Sequence, residues 1–286
     1  MVEKHIGKFS QRKKESHKGN YGRILVLAGA EGMTGAAFLS CQGALSSGSG
    51  LVVNGIPKSL NQIMEIKLTE VMTLPLEETS ERTLSLSAEG AIIDAVSRND
   101  VIVLGPGIGR NKETGELVRN LIRSVKKPLV LDADGINAIE GEMDILKSRP
   151  ASTVITPHPG EMARLYGTSA EHINTRREEI AEEVAKATGV FVCLKGHGTV
   201  VASPDGEVYV NHTGNSGMAT GGTGDVLTGM IASFIGQGID EYSAVIAAVY
   251  LHGLAGDIAV EDIGPFCLIA TDLIDYLPEA FNKAGI

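Results

Sequence analysis

The chain has no tryptophan, and its aromatics stop at six Tyr and six Phe in 286 residues. That leaves little material for base-stacking platforms or for an aromatic membrane belt. Basic residues are also short: 25 Lys and Arg against 35 Asp and Glu give a formal charge of −10. A protein that binds nucleic acid by neutralising phosphates carries a basic excess or stripe instead, so a nucleic-acid partner is not expected. The three cysteines, Cys41, Cys193 and Cys267, are far apart and form no CxxC spacing. They argue against a zinc site or a disulfide framework and are expected to be buried thiols in a reducing compartment. No uninterrupted apolar run reaches membrane-spanning length. The basic start of the chain (Lys4, Lys8, Arg12, Lys13, Lys14, Lys18) is followed by no apolar signal core, so no membrane partner is expected. The expectation is a cytoplasmic protein with a basic, solvated N-terminal arm over about residues 1–20. With 43% hydrophobic and 21% charged residues, the composition is that of an ordinary globular protein.

What the chain has in excess is glycine. Its 35 glycines are about 12% of the residues against a usual level of roughly 7%, and they collect in a few short loops. Between those loops lie short apolar runs at 24–27, 51–53, 101–104, 129–131, 154–155 and 190–194. Runs buried on both faces and separated by crossover-length segments predict a parallel sheet flanked by helices, in an α/β fold. Most of these runs end in loop residues, and in open α/β sheets ligands bind outside the carboxyl ends of the strands. Residues 199–202 and 208–210, joined around Ser203-Pro204-Asp205-Gly206, predict a β-hairpin. Helices are expected at 36–47, 114–125, 176–187, 226–235, 242–260 and 270–281, and an exposed loop at 77–88. No Pro- or Ser-rich linker divides the sequence, which predicts a single domain over 1–286.

The most informative segment is Asn215 to Gly229, with six glycines between Gly214 and Gly229. Glycines let successive amides approach a ligand, and a helix starting near Asp225 aims its positive end at the same point, which makes an anion site. Phosphate is its natural occupant. An acidic side chain is an unwelcome phosphate binder, so Asp225 reads as a general base toward an attacking hydroxyl or as a contact to a substrate hydroxyl. The competing reading is a helix cap. Lys195-Gly196-His197-Gly198-Thr199 follows a strand and suits nucleotide phosphates, or is an ordinary charged turn. Gly105-Pro106-Gly107-Ile108-Gly109 lacks the GxGxxG spacing, which disfavours a dinucleotide-binding fingerprint. Asp132 and Asp134 lie two apart after a strand, a spacing that faces one carboxylate into a site or equally makes a structural turn, and Asn137 beyond them adds a second polar contact. His158 sits between Pro157 and Pro159, which limit where its imidazole points.

Gly222-Thr223-Gly224-Asp225 matches the GxGD motif and resembles the ribokinase-like superfamily. The blocks at 105–109, 131–137 (Leu-Asp-Ala-Asp-Gly-Ile-Asn), 156–161 (Thr-Pro-His-Pro-Gly-Glu) and 194–199 narrow the resemblance to the carbohydrate-kinase-related ADP/ATP-dependent NAD(P)H-hydrate dehydratases, over residues 20–280 in family order. The resemblance implies a three-layer α/β/α sandwich with a mostly parallel central sheet. It implies Asp225 as catalytic base and substrate contact. Ala36, Ala37, Gly107, Asn137 and His158 are implied as further contacts to the hydrated nicotinamide nucleotide, and Lys195, Gly196, His197, Gly198, Thr199 and Gly224 as the adenine-nucleotide site. No metal ligand is assigned beyond Glu161 as an indirect organiser of Mg²⁺. The implied activity is repair of the S-epimer of hydrated NADH or NADPH (NADHX, NADPHX) at the expense of ADP or ATP, in a homotetramer, with a separate epimerase. Two rivals remain: a small-molecule kinase of the same superfamily, acting on a hydroxyethylthiazole, a hydroxymethylpyrimidine or a sugar, and a nucleotide-binding module without turnover.

Overall fold

The computed structural model describes residues 2–9 and 12–286. Among the described residues nine strands form one sheet: β1 (Arg23–Leu27), β2 (Leu51–Pro57), β3 (Met72–Leu76), β4 (Val101–Leu104), β5 (Leu129–Leu131), β6 (Thr153–Ile155), β7 (Phe191–Leu194), β8 (Val200–Ala202) and β9 (Val208–Val210). Their spatial order is β3-β2-β1-β4-β5-β6-β7-β8-β9. Pairing is parallel from β3 through to β7, and β8 and β9 close the far edge as the predicted antiparallel hairpin. The chain reverses its direction of travel across the sheet between β1 and β4. This is a topological switch point, where open sheets form their ligand crevice.

The first helices are α1 (Glu3–Ile6), α2 (Thr34–Ser46), α3 (Asn61–Lys67), α4 (Glu89–Ser97), α5 (Lys112–Ser124) and α6 (Asp134–Asn137). They are followed by α7 (Pro159–Tyr166), α8 (Ala170–Thr175), α9 (Arg177–Thr188), α10 (Thr223–Gly236), α11 (Glu241–Ile263) and α12 (Ala270–Ala284). Strand side chains alternate between two separate cores, as the two-residue repeat of a strand requires. Ile24, Val26, Val101 and Val103 pack with α2, α10, α11 and α12 on one face. Leu25, Leu27, Ile102 and Leu104 pack with α4, α5, α7 and α9 on the other. The result is a three-layer α/β/α sandwich. On the first face α10 lies directly against α2, and Gly229 makes that possible, because a Cβ there would stand 2.1 Å from the Ser40 carbonyl oxygen.

The structure corrects several expectations. Strand β3 has no counterpart among the predicted runs: as an edge strand it is half exposed and carries Pro75, so it lacks the buried β-branched signature. The segment 77–88 is not a simple exposed loop. Thr83, Leu84, Ser85 and Ala88 are buried, and the Thr83 and Thr114 hydroxyls bond at 2.7 Å to fasten it over α5. Cys41 and Cys193 are buried, but Cys267 is exposed, because it lies in the turn between α11 and α12 beside the fully exposed Phe266. The N-terminal arm is not wholly solvated: His5 is buried and bonds Ser243 Oγ at 2.8 Å, and Phe9 stacks edge-on against Phe234 and Phe281. Helix α11 is long and apolar enough to span a membrane by length and composition, yet 78% of its apolar window is buried inside the protein.

Candidate active site

The carboxyl ends of β5, β6 and β7 meet the N-terminus of α10. A cavity of about 730 Å³ opens there, within the usual range for small-molecule sites. All six residues expected to hold the adenine nucleotide line it: Lys195, Gly196, His197, Gly198, Thr199 and Gly224. His158 lines the same cavity, and Val249, His252 and Gly253 of α11 form its far wall. Two stretches of backbone supply donors. The amides of Gly196, His197, Gly198 and Thr199, and those of Thr223 and Gly224, donate to no acceptor among the described residues. The second pair belongs to the first turn of a helix of 14 residues, whose positive end favours an anion. Gly222 turns the chain into that helix at φ 97°, where a Cβ would stand 2.3 Å from Leu39 Cδ1. Only glycine fits both restrictions.

Beneath the cavity lies a compact set of charges. Asp132, just past β5, is 1% exposed. One of its oxygens accepts from Lys195 Nζ at 2.6 Å and the other from Thr228 Oγ1 at 2.8 Å. Burial pulls the Lys195 pKa down, but the Asp132 and Glu161 charges outweigh it and leave the ammonium above its usual value. Glu161 Oε2 lies 4.0 Å from the same nitrogen and accepts the His158 backbone N–H at 2.7 Å. In return His158 Nδ1 accepts from the Gly160 amide at 2.9 Å, completing a capping box at the start of α7. With Nδ1 an acceptor, the neutral ring carries its proton on Nε2, 3.5 Å from Glu161 Oε1.

Asp225 is the third residue of α10 and not its cap, and no side chain caps that helix. Its carboxylate has no hydrogen bond or ion pair among the described residues. Burial, reinforced by the neighbouring Asp132 charge and opposed by Lys195, pushes its pKa up to about 7. A carboxylate poised near neutral pH, without a partner among the described residues and next to the cavity-lining Gly224, is equipped to accept a proton from a bound hydroxyl.

The positions expected to contact the nicotinamide nucleotide are less unified. Gly107 abuts Ala36 and Met33 at the β1–β4 switch point, where a Cβ on Gly107 would stand 2.9 Å from the Ala36 Cβ. Ala36 is half-buried, whereas Ala37 is fully buried under the sheet. Asn137 lines a separate cavity of about 480 Å³ between α6 and the N-terminal part of α5. Its Oδ1 accepts two bonds from the Arg164 guanidinium, at 2.8 and 3.0 Å. Sequence reasoning also left several residues unassigned. Thr228 stands one helical turn after Asp225, so its place on the same face was legible. His252 and Asp257 lie inside a helix that reads as apolar packing. His252 Nε2 donates to the Thr223 carbonyl at 2.9 Å, and burial holds its pKa down to about 4, so it stays neutral. Asp257 accepts from the Gly214 amide at 2.8 Å and from Asn215 Nδ2 at 3.1 Å, fixing the loop that borders the cavity.

Residues 24–279 match the family model described as NAD(P)H-hydrate dehydratase. The chain belongs to that family. A bifunctional NAD(P)H-hydrate repair enzyme from Moorella thermoacetica is 44% identical over 268 residues, covering 94% of this chain and 51% of the relative. The chain thus spans about half the length of that relative. An ADP-dependent (S)-NAD(P)H-hydrate dehydratase from Bacillus subtilis is 34% identical over 283 residues, covering 99% of this chain and 97% of the relative. The crystal structure of the ADP/ATP-dependent NAD(P)H-hydrate dehydratase from Bacillus subtilis, co-crystallised with ATP and Mg²⁺, has a TM-score of 0.84 at 31% identity, covering 99% of this chain and 97% of that one. The sandwich is ribokinase-like, as dehydratase-family and other superfamily structures share it.

Proposed function

We propose that this member of the dehydratase family repairs the S-epimer of hydrated NADH or NADPH, coupling loss of water from the nicotinamide ring to hydrolysis of ADP or ATP. The observation that carries the reading is the Asp225 carboxylate, without a partner among the described residues and with its pKa pushed up to about 7, next in sequence to Gly224 of the amide-lined cavity. The names of the family relatives agree with it.

The adenine nucleotide occupies the cavity formed by Lys195 to Thr199 and Gly224, with its terminal phosphate on the free amides. The hydrated ring lies across Asp225, against His158, Asn137 and Gly107, with Ala36 preferred over the buried Ala37 as the contact on α2. Asp225 takes the proton of the ring hydroxyl while that oxygen attacks the terminal phosphorus, and AMP or ADP departs. The ring nitrogen lone pair then expels inorganic phosphate, and loss of a ring proton restores the dihydronicotinamide.

The described residues contain no cluster of three His, Cys, Asp or Glu placed to hold a metal ion. A Mg²⁺ carried on the nucleotide phosphates needs few protein ligands and keeps several waters; Glu161, held by the His158 backbone N–H, would organise such an ion indirectly, and the ion when bound would neutralise charge on the transferring phosphoryl group. We further propose a homotetramer in the cytoplasm, working with an NAD(P)HX epimerase, the partnership to which the bifunctional relatives' name points.

The test offers hydrated NADH with ADP, with ATP and with no nucleotide, and follows the return of dihydronicotinamide absorbance. The reading predicts recovery only with nucleotide and one phosphate released per NADH. Recovery without nucleotide contradicts the coupling, and a stable phosphorylated product identifies a kinase instead.

A further inference from the structure

Lys195 was expected to supply the positive charge of the nucleotide loop, but its ammonium is engaged by Asp132 at 2.6 Å and faces Glu161 at 4.0 Å. A second cation lies behind the same loop. Arg177 is the first residue of α9, and one of its terminal nitrogens donates to the carbonyls of Leu194 at 2.8 Å, Lys195 at 3.2 Å and Gly198 at 3.4 Å. We infer that Arg177 is the positioning residue of the phosphate loop and the source of its uncompensated positive charge. The inference rests on the nucleotide site proposed above and adds to it how that site is built.

The geometry follows from the planar trans peptide, in which each carbonyl points opposite to the N–H of the next residue. With the Lys195 and Gly198 carbonyls drawn onto the guanidinium, the Gly196 and Thr199 N–H groups are aimed away from it. Both residues line the cavity, and neither amide has an acceptor among the described residues. Gly196 (φ 135°) and Gly198 (φ 64°) both take the positive φ that glycine allows, which lets the loop curl around the guanidinium. A Cβ at Gly196 would stand 3.2 Å from the guanidinium, so the glycine and the arginine are fitted to each other.

The charge argument is independent of the loop geometry. Arg177 forms no ion pair with any carboxylate among the described residues, and its Nε is buried without an acceptor. Burial holds its pKa below the usual arginine value, yet a guanidinium remains charged at neutral pH. A cation in the first turn of a helix is also opposed by the helix dipole, so helix stability does not explain it. A multiply charged phosphate on the other side of the loop does. The ligand class is a nucleoside di- or triphosphate, whose phosphates feel the charge and whose nucleoside does not.

The test compares binding of ADP and of adenosine to the wild-type chain and to Arg177→Met and Arg177→Lys, by calorimetry, with melting temperatures as a folding control. A charge-assisted interaction of about 1.5–3 kcal/mol corresponds to roughly a 10- to 100-fold change in affinity. Arg177→Met should weaken ADP by that factor and leave adenosine within about twofold, while Arg177→Lys loses less for ADP and nothing for adenosine. In turnover, the KM for nucleotide should rise and that for the hydrated dinucleotide should not. If Arg177→Met fails to fold, Arg177→Gln, which keeps a hydrogen-bond donor but not the charge, decides, and wild-type affinity for ADP in that variant overturns the inference. Equal losses for ADP and adenosine reduce Arg177 to packing and overturn it too. Wild-type protein that binds no ADP removes the nucleotide reading as well, whereas wild-type binding matched by Arg177→Met removes the role of Arg177 alone.

Discussion

Asp132 holds Lys195 and Thr228 at once, at 2.6 and 2.8 Å, and so ties the loop after β7 to the helix that carries Asp225. The pairing fixes the lysine beside Gly224, where a Cβ would stand 3.3 Å from its ammonium. It also places a negative charge near Asp225 that adds to burial in raising the pKa of that carboxyl.

Replacing Asp132 by Asn should therefore have two separable effects. Lys195 is left as a largely buried charge without its carboxylate, which costs roughly 3–5 kcal/mol of stability, measurable by denaturant unfolding. Asp225 keeps its burial but loses one of the charges that raise its pKa, so the acid limb of the pH–rate profile should move to lower pH. A variant with an unmoved acid limb would show that the two aspartates do not communicate.

The raised pKa of Asp225 makes a prediction about stability as well. Its folded value, about 7, lies above its unfolded one, so the protonated form favours folding. That stability is present below the unfolded pKa and is lost as pH rises through 7. Asp225→Asn removes the cost of holding the ionised group and should raise the melting temperature at pH 8. The gain should shrink as pH falls from 7 toward 4. An equal gain at pH 8 and pH 4, or none, would contradict the assigned environment.

Gly222 is irreplaceable on two counts, a left-handed φ and contact with Leu39. Gly222→Ala should cost about 1–3 kcal/mol from backbone strain and should weaken nucleotide binding by displacing the first turn of α10. Calorimetric affinity within experimental error of wild type would show that the turn does not shape the cradle.

Thiol accessibility gives a simpler check. Burial pushes the Cys193 thiol up to about 12 and the Cys41 thiol higher still, while Cys267 is exposed. A chromogenic thiol reagent should titrate only Cys267 rapidly in the native protein and reach the other two on unfolding.

The parts of this molecule that were legible in its sequence are those where local chemistry and tertiary context agree. Strands buried on both faces announce themselves as apolar runs, as 101–104 does, and the glycine block at 214–229 announces the tight turn into α10 that Gly222 makes. What was hidden depends on partners distant in sequence. The edge strand Met72–Leu76 buries too little to carry a pattern. Cys267 looks like Cys41 until its turn is seen. Arg177 reads as an ordinary helix residue, because its three carbonyl partners lie 17 to 21 residues away. The tie from Asp132 to Lys195 spans 63 residues, so a turn and a site were equal readings from spacing alone.

The account turns on Asp225 as the base. Asp225→Asn keeps size and hydrogen-bonding reach but removes the proton acceptor, and loss of a positioned general base costs on the order of 10²- to 10⁴-fold in rate. The decisive measurement is turnover of hydrated NADH with saturating nucleotide, alongside calorimetric nucleotide affinity, for this variant and wild type. The account predicts turnover reduced by at least about 10²-fold with nucleotide affinity unchanged or improved. Near-normal turnover in a folded, nucleotide-binding Asp225→Asn protein would contradict it.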